Sequence, residues 1–553
     1  MHISLQIIGQ AFFSQRIIGP QCRLTKIGFA TVCLALICFA PSILLGQPAD
    51  KGESENQLPS FAVARLGEFG EKTEFNGVYL IAFSPDSSKL ATRSQDQVVR
   101  VWDRATGRQM CSLDGHNNRV TDVLFLPDSK RIVTTAFGKG ESTIIWNAEN
   151  GKEIHKLDSG ATMLNLVSLN LAANEAPRIM LADDDQLLIY DADTGQKLES
   201  KTWSEETTDK LAALTEDAET IVGFSYQQIQ RGEASLEFRS KAQNGRSYFY
   251  GFKEQPTKVA VSTQSYWLSA CARNDQTVYL WQTDKPQETI RLEGHNEPVQ
   301  SVAFSDDERW LISVSWDHQV KIWEAVSGRL VTTLAGHSEH VCSVAVSPDM
   351  RWLATGASGE TDCSVILWDL RKALFDQPEF ASSESSMDFV QAWDRLGARE
   401  PKSAYEAVHF LLRRPAGAIE FLQKELLSYV SVVEPAEIPT LIEKLDNDDF
   451  DVREAAQRRL LSVRDQSAKF LTEALKNERL SAESRYRIEE ILTTKNYRPQ
   501  ISMNERLTMH RAVLVLELIG EEAAQEMLRR ITVGYSDDRI KFEAKLALQR
   551  VAK

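Results

Sequence analysis

The chain has 553 residues, with 63 Lys and Arg against 78 Asp and Glu, for a formal net charge of −15. This acidic balance, with no long basic stripe, argues against nucleic acid as the main partner, because such binding is driven by neutralising phosphates. Its 7 cysteines include no Cys-x-x-Cys-His and no zinc spacing, which excludes covalent haem and a Cys/His zinc site.

Ile27 to Gly46 is almost wholly apolar, flanked by Arg23 and Lys26 before it and by Gln47-Pro48-Ala49-Asp50 after it. A basic stretch, an apolar run and a small residue read as an export signal. A run of about 20 apolar residues is also long enough to cross a bilayer uncleaved. Residues 1–46 are thus expected to form a signal peptide or signal anchor, and 47–59 a polar linker, placing the protein in the periplasm or cell envelope. Downstream, Cys111, Cys271, Cys342 and Cys363 fall on or beside predicted strands, scattered along the chain, and read as buried free thiols.

From residue 60 a repeat takes over. Strand-ending aromatics recur at Trp102, Trp146, Tyr190, Phe238, Trp281, Trp323 and Trp368, at gaps of 42 to 48 residues. A period near 40–45 residues with a terminal Trp-Asp is the sign of a β-propeller blade. The sixth unit is the clearest: strands are expected at Val299–Phe304, Trp310–Ser315, Val320–Trp323 and Leu330–Leu334, separated by turn residues such as Asp306-Asp307, Asp317 and Gly328. The fourth unit, around Phe238, departs furthest from the pattern. Phe61–Leu66 matches an outer strand, and the chain after Trp368 has none of its own. The N-terminal strand is therefore expected to complete the seventh unit and cover its edge.

Three Gly-His pairs (Gly115-His116, Gly294-His295, Gly336-His337) and an aspartate six residues before the aromatic (Asp96, Asp184, Asp275, Asp317, Asp362) recur with the same period. In these features residues 60–371 resemble the WD40 family, whose His, Asp, strand Ser or Thr and Trp form a hydrogen-bonded chain within a blade. The resemblance implies a seven-bladed, all-β propeller. It also implies structural networks of His295, Ser315, Asp317 and Trp323 in unit six, and of His337, Asp362 and Trp368 in unit seven. A Ser-His-Asp set that recurs with the blade period, its serine inside a strand, belongs to the fold rather than to a protease. In the same family the residue before the turn aspartate points to one rim and meets partners. Those positions are Gln95, Asp183, Asn274, Trp316 and Thr361, and His340 is expected on the same rim. Trp316 stands out, since an aromatic in a tight turn serves no core and Trp is a common interface anchor.

Beyond Lys372 the period becomes helical. Ile438, Leu441, Ile442 and Leu445 repeat at i, i+3, i+4 and i+7. Asp446–Phe450 then turns into Val452–Leu461, a Val-Arg-x-x-Ala helix that resembles a HEAT repeat. Residues 372–386, with the polar Ala381–Ser386, are expected to be a linker. Residues 387–553 are expected to form an α-helical HEAT-like domain of about nine or ten helices. The order of signal, ring and helices looks like a group of exported WD40 proteins of planctomycete bacteria.

Three other features suggest chemistry and yield to simpler readings. Asp183-Asp184-Asp185 sits where other units have their Asp turn. Asp191–Gly195 lacks the closing Glu of a calcium loop. Phe137–Glu141 lacks P-loop spacing. The expectation is a non-catalytic scaffold with no cofactor and no metal, binding unidentified protein partners on the propeller rim and the helical surface. Membrane contact would run only through residues 27–46, if uncleaved. The alternative is an enzyme, or an accessory subunit of one, holding a small ligand in the propeller funnel.

Overall fold

The computed structural model describes residues 58–67, 77–137, 143–157, 165–169, 177–182, 186–202, 210–214, 220–224, 235–240, 245–250, 254–263, 265–376, 387–426, 437–477, 480–494, 502–535 and 537–551. The expectations for Ile27–Gly46, Asp183–Asp185 and Ala381–Ser386 lie outside them.

The strands of the described residues form seven four-stranded antiparallel sheets, numbered one to seven by their first strands, which begin at Val78, Val120, Asn165, Lys210, Pro256, Val299 and His340. Six are simple meanders of consecutive strands, and each sheet is open rather than closed on itself. Sheet six contains Val299–Phe304, Trp310–Ser315, Gln319–Glu324 and Arg329–Ala335. Its second strand is buried along its whole length, as expected of an apolar, β-branched strand covered on both faces. The first strands of sheets one, two, five and six bulge after their first residue, and that of sheet seven after its second, so Tyr79, Thr121, Thr257, Gln300 and Cys342 sit unpaired at the same end.

Sheet seven takes its outer strand from the start of the chain. Ala62–Leu66 pairs with Val365–Asp369, and the Arg65 guanidinium reaches Asp362 at 3.1 Å and the Gly336 carbonyl at 3.0 Å. The first strands pack in succession around the set, and that of sheet seven returns to that of sheet one. At this junction Gly77 bridges Ser358, and the Ser343 hydroxyl donates to the Val78 carbonyl at 2.7 Å. The approach requires glycine, since a Cβ on Gly77 would lie 2.2 Å from the Ser358 Cβ.

The chain does not pass straight into a linker after Trp368-Asp369. Asp369 caps a short helix, α1 (Leu370–Phe375), accepting from the Lys372 amide at 3.0 Å. Leu370, Ala373, Leu374 and Phe375 are buried, so the domain boundary expected at Lys372 falls inside a packed helix. Ten helices follow among the described residues: α2 (Phe389–Leu396), α3 (Pro401–Leu412), α4 (Pro415–Leu426), α5 (Ile438–Lys444), α6 (Phe450–Ser462), α7 (Arg464–Ala474), α8 (Ala482–Thr493), α9 (Met503–Ile519), α10 (Glu522–Gly534) and α11 (Asp538–Val551). Helix α2 starts on a capping box of Asp388 and Gln391.

These helices divide between two cores. Residues of α1–α4 and α9–α11 share one continuous apolar core with sheets six and seven, in which Trp310 meets Phe375 and Tyr405. Helices α5–α8, including the segment that resembles a HEAT repeat, close around a separate core of Ile438, Leu460, Leu471 and Ile488.

Buried ion pairs lock the first group onto sheet six. Arg511 donates to both oxygens of Glu324, at 2.8 and 2.6 Å, and Tyr405 donates to the same carboxylate at 3.0 Å. Arg309 meets Glu517 at 2.8 Å and Arg539 meets Glu308 at 2.9 Å, while His510 meets Glu543 at 2.6 Å between α9 and α11. Helices α1–α4 and α9–α11 are therefore packed against the sheets rather than tethered loosely to them.

Candidate functional site

The polar chain within each sheet is built by strand register. In sheet six Leu311 pairs with Trp323, so Ser313, two residues on, shares the face of the indole. Trp323 Nε1 donates to Ser313 Oγ at 2.8 Å, Ser313 bonds His295 Nε2 at 2.8 Å, and His295 Nδ1 donates to Asp317 at 2.8 Å. The hydroxyl in this chain is that of Ser313, not the expected Ser315. Ser315 instead donates to the Glu297 carbonyl and accepts from the Asp317 amide, because it lies at the strand end facing the turn.

Sheet seven repeats the arrangement with Trp368, Thr355, His337 and Asp362, each link at 2.8 Å. Burial raises the Asp362 and Asp317 carboxyls, but hydrogen bonds from their histidines outweigh it and hold both below the usual range. The serine or threonine oxygen is occupied by an indole N–H, which leaves it no role as a nucleophile.

In sheets one and five, which lack the histidine, the position two before the tryptophan substitutes. Arg100 reaches Asp96 in sheet one, and the Tyr279 hydroxyl donates to Asp275 at 2.7 Å in sheet five. Trp281 has Ala270 where the others have a hydroxyl, and it turns to Thr289 at 3.0 Å.

The ends of the second strands define the rim. Trp316, Arg273 and Phe137 occupy equivalent places, each donating its amide to the carbonyl just before its sheet's first strand. By the same register Ser358, paired with His340, holds that place in sheet seven. Counting back from the aspartate therefore misplaced two residues. Asn274 and Thr361 lie in lengthened turns, one and three residues beyond the equivalent positions. Thr361 is exposed and bonds Glu339 at 2.7 Å. Gln95 is an exposed turn residue, and Asp183 lies outside the described residues.

Trp316 is half-buried. His340 donates from Nδ1 to its carbonyl at 2.9 Å, and the two rings lie 5.2 Å apart. His318, held at φ 67°, sets its ring 5.5 Å from His340. Sequence reasoning had singled out Trp316 and His340, but not His318.

The rim continues across sheets seven and one. The Tyr79 and Ser358 hydroxyls share a hydrogen bond of 2.9 Å, and the Arg93 guanidinium lies 5.4 Å from the centroid of the Tyr79 ring. Arg93 is 2% exposed, and its Nε has no hydrogen-bond partner. Burial and the neighbouring Arg119 push it down to about 9.

Among the described residues no group of three or more His, Cys, Asp or Glu is placed to hold a metal ion, and no helix is long and apolar enough to cross a membrane. Cys111, Cys271, Cys342 and Cys363 form no disulfide, and of the four only Cys271 is fully buried, against the expectation of buried thiols throughout. A cleft of about 500 Å³ lies at the opposite end of sheet seven, between Trp352, Phe375, Leu412 and Ile519.

Comparison with known proteins agrees with this architecture. The WD domain, G-beta repeat model matches residues 69–103, 107–147, 285–324 and 328–369. The chain is similar to the WD repeat-containing protein WDS homolog of Arabidopsis thaliana, 25% identical over 262 residues, covering 44% of this chain and 46% of that protein. It is 24% identical over 251 residues to pre-mRNA-processing factor 19 of Oryza sativa, covering 43% of this chain and 45% of that protein. It is also 37% identical over 91 residues to small ribosomal subunit protein RACK1y of the same species, 16% of this chain and 26% of that protein. The matches span less than half the length of each of these relatives. The chain carries WD40 repeats, followed by a C-terminal all-helical region.

Proposed function

We propose that this chain is a non-catalytic scaffold of the cell envelope, a closed seven-bladed WD40 ring that binds a protein partner on its rim and carries a HEAT-like helical domain as a second surface. Proteins with WD40 repeats are generally protein-interaction scaffolds, and the return of sheet seven onto sheet one supports a closed ring. The observation that carries the reading is the rim cluster of Trp316, His318 and His340. It places a half-buried indole and two imidazoles outside the polar networks of the sheets, in the chemistry favoured at interface anchors. The packed helical region would hold its own surface in a set orientation to the rim. Export rests on the apolar run Ile27–Gly46, and fractionation of the native cell tests it.

The binding test is crosslinking and affinity purification of the tagged chain, wild type against Trp316→Ala. A specific partner lost in the variant, at unchanged thermal stability, supports the reading. A partner retained at full yield in the variant removes the rim from it. Recovery of only a small molecule or metal overturns the scaffold itself.

A further inference from the structure

Trp267 opens the second strand of sheet five and is 2% exposed, with the Arg539 guanidinium 5.5 Å from its ring centroid. Its indole N–H is buried without a hydrogen-bond partner. A buried N–H left unpaired costs stability, so a folded chain rarely gathers several of them without an ordered partner. Here three more lie with it. Arg506 Nε, His510 Nε2 and Arg539 Nε are also buried and unpartnered, and all four side chains line one small cavity of about 10 Å³. The carboxylates nearby do not serve these atoms. Arg539 Nε is 3.2 Å from a Glu543 oxygen, but the two are misaligned for a hydrogen bond. Arg506 Nε is 4.0 Å from Asp537, beyond hydrogen-bond reach.

The walls come from elements distant in sequence. Trp267 belongs to sheet five, Arg506 and His510 stand one turn apart on α9, and Arg539 lies in the first turn of α11, where its amide donates to Asp537 at 2.9 Å. The state of His510 decides what the cavity requires. A carboxylate only accepts, so His510 Nδ1 carries the hydrogen that it shares with Glu543 at 2.6 Å, and Nε2 of the neutral ring is left as an acceptor. The indole and both guanidinium Nε–H groups only donate. One occupant serving all of them must both accept and donate, which water does and a halide ion does not. The positive charges already have their answer, since Arg539 pairs with Glu308 at 2.9 Å and Asp537 lies beside Arg506. The volume leaves room for about one water molecule, and about three polar partners are what a buried water ordinarily takes.

We propose that this cavity is a binding site for a single water molecule, which accepts from the Trp267 indole and an arginine Nε–H and donates to His510 Nε2. The bound water joins sheet five to α9 and α11. It gives the helices a polar attachment beyond their ion pairs on sheet six, next to the apolar contact that Leu507 makes in the core between sheets five and six.

The experiment is a room-temperature crystal structure of the full chain, grown in bromide in place of chloride, with anomalous scattering measured at the bromine edge. The expected result is one density peak within hydrogen-bond distance of Trp267 Nε1 and His510 Nε2 that refines as a fully occupied oxygen and gives no anomalous signal. An anomalous peak at that place overturns the proposal in favour of a bound anion. No peak at all, or side chains turned so that the four nitrogens pair within the chain, overturns it outright.

Discussion

Removing Arg511 should uncouple the helices from the sheets. Its guanidinium is 1% exposed and makes four hydrogen bonds, two to Glu324 and two, each of 2.6 Å, to the carbonyls of Leu396 and Ala398. Arg511→Ala leaves the Glu324 carboxylate buried with only Tyr405 and Ser327 as donors, and orphans two carbonyls. Breaking a buried pair in this way costs about 3–5 kcal/mol, chiefly because one charge is left uncompensated. Of the 11 tryptophans only Trp393 lies beyond residue 369, so tryptophan fluorescence reports the sheets and far-ultraviolet circular dichroism reports mainly the helices. In urea the wild type should lose both signals together, and Arg511→Ala should lose the helical signal first. Adding Glu324→Gln should recover part of the loss, since the orphan is then neutral. A shift below about 1 kcal/mol, no larger than that of the exposed Arg529→Ala, would refute the claim that this pair holds the two regions together.

Other outcomes follow from the same geometry. Ser313→Ala orphans both the Trp323 indole and His295, and should cost about 1–3 kcal/mol per buried group in urea denaturation. A Ser313→Thr variant, which keeps the hydroxyl as Thr355 does in sheet seven, should retain most of the stability. Although burial alone would raise them, Glu517 is held down to about 2 by Arg309 and Arg550, and Glu543 to about 2 by His510 and Arg539. Their contribution is present above the unfolded value near ~4.3 and is lost as pH falls from there toward 2, so acid titration should release the helical signal over that window; a flat profile there would count against the buried network. Gly77→Ala forces a Cβ onto Ser358 and should cost about 1–3 kcal/mol by overpacking the junction of sheets seven and one, measured as a fall in Tm.

The repeat pattern was legible because its signal is local. Period-two strands, turn residues and a recurring aromatic report short-range geometry, and all seven marked positions, from Trp102 to Trp368, fall in the third strands of the sheets. The return of Phe61–Leu66 to the last sheet was legible too, from an outer strand without a place and a sheet without an outer strand. The choice of Ser315 over Ser313 failed for a physical reason. The hydroxyl is selected by pairing across a hairpin whose length varies, so it stands 10 residues before the tryptophan in sheet six, 12 in sheet two and 13 in sheet seven. Asn274 and Thr361 were misplaced by the same variation in turn length.

Sequence by itself determined the identity of the repeating unit and the helical character of the C-terminal third. Both follow from side-chain periodicity along the backbone, which is a property of neighbours in the chain. Only the tertiary structure decided that Glu324, standing where other units carry Asp after the tryptophan, is the partner of Arg511 nearly two hundred residues away. Whether a buried charge is neutralised depends on which groups folding brings within a few ångströms, and no spacing along the chain records that distance.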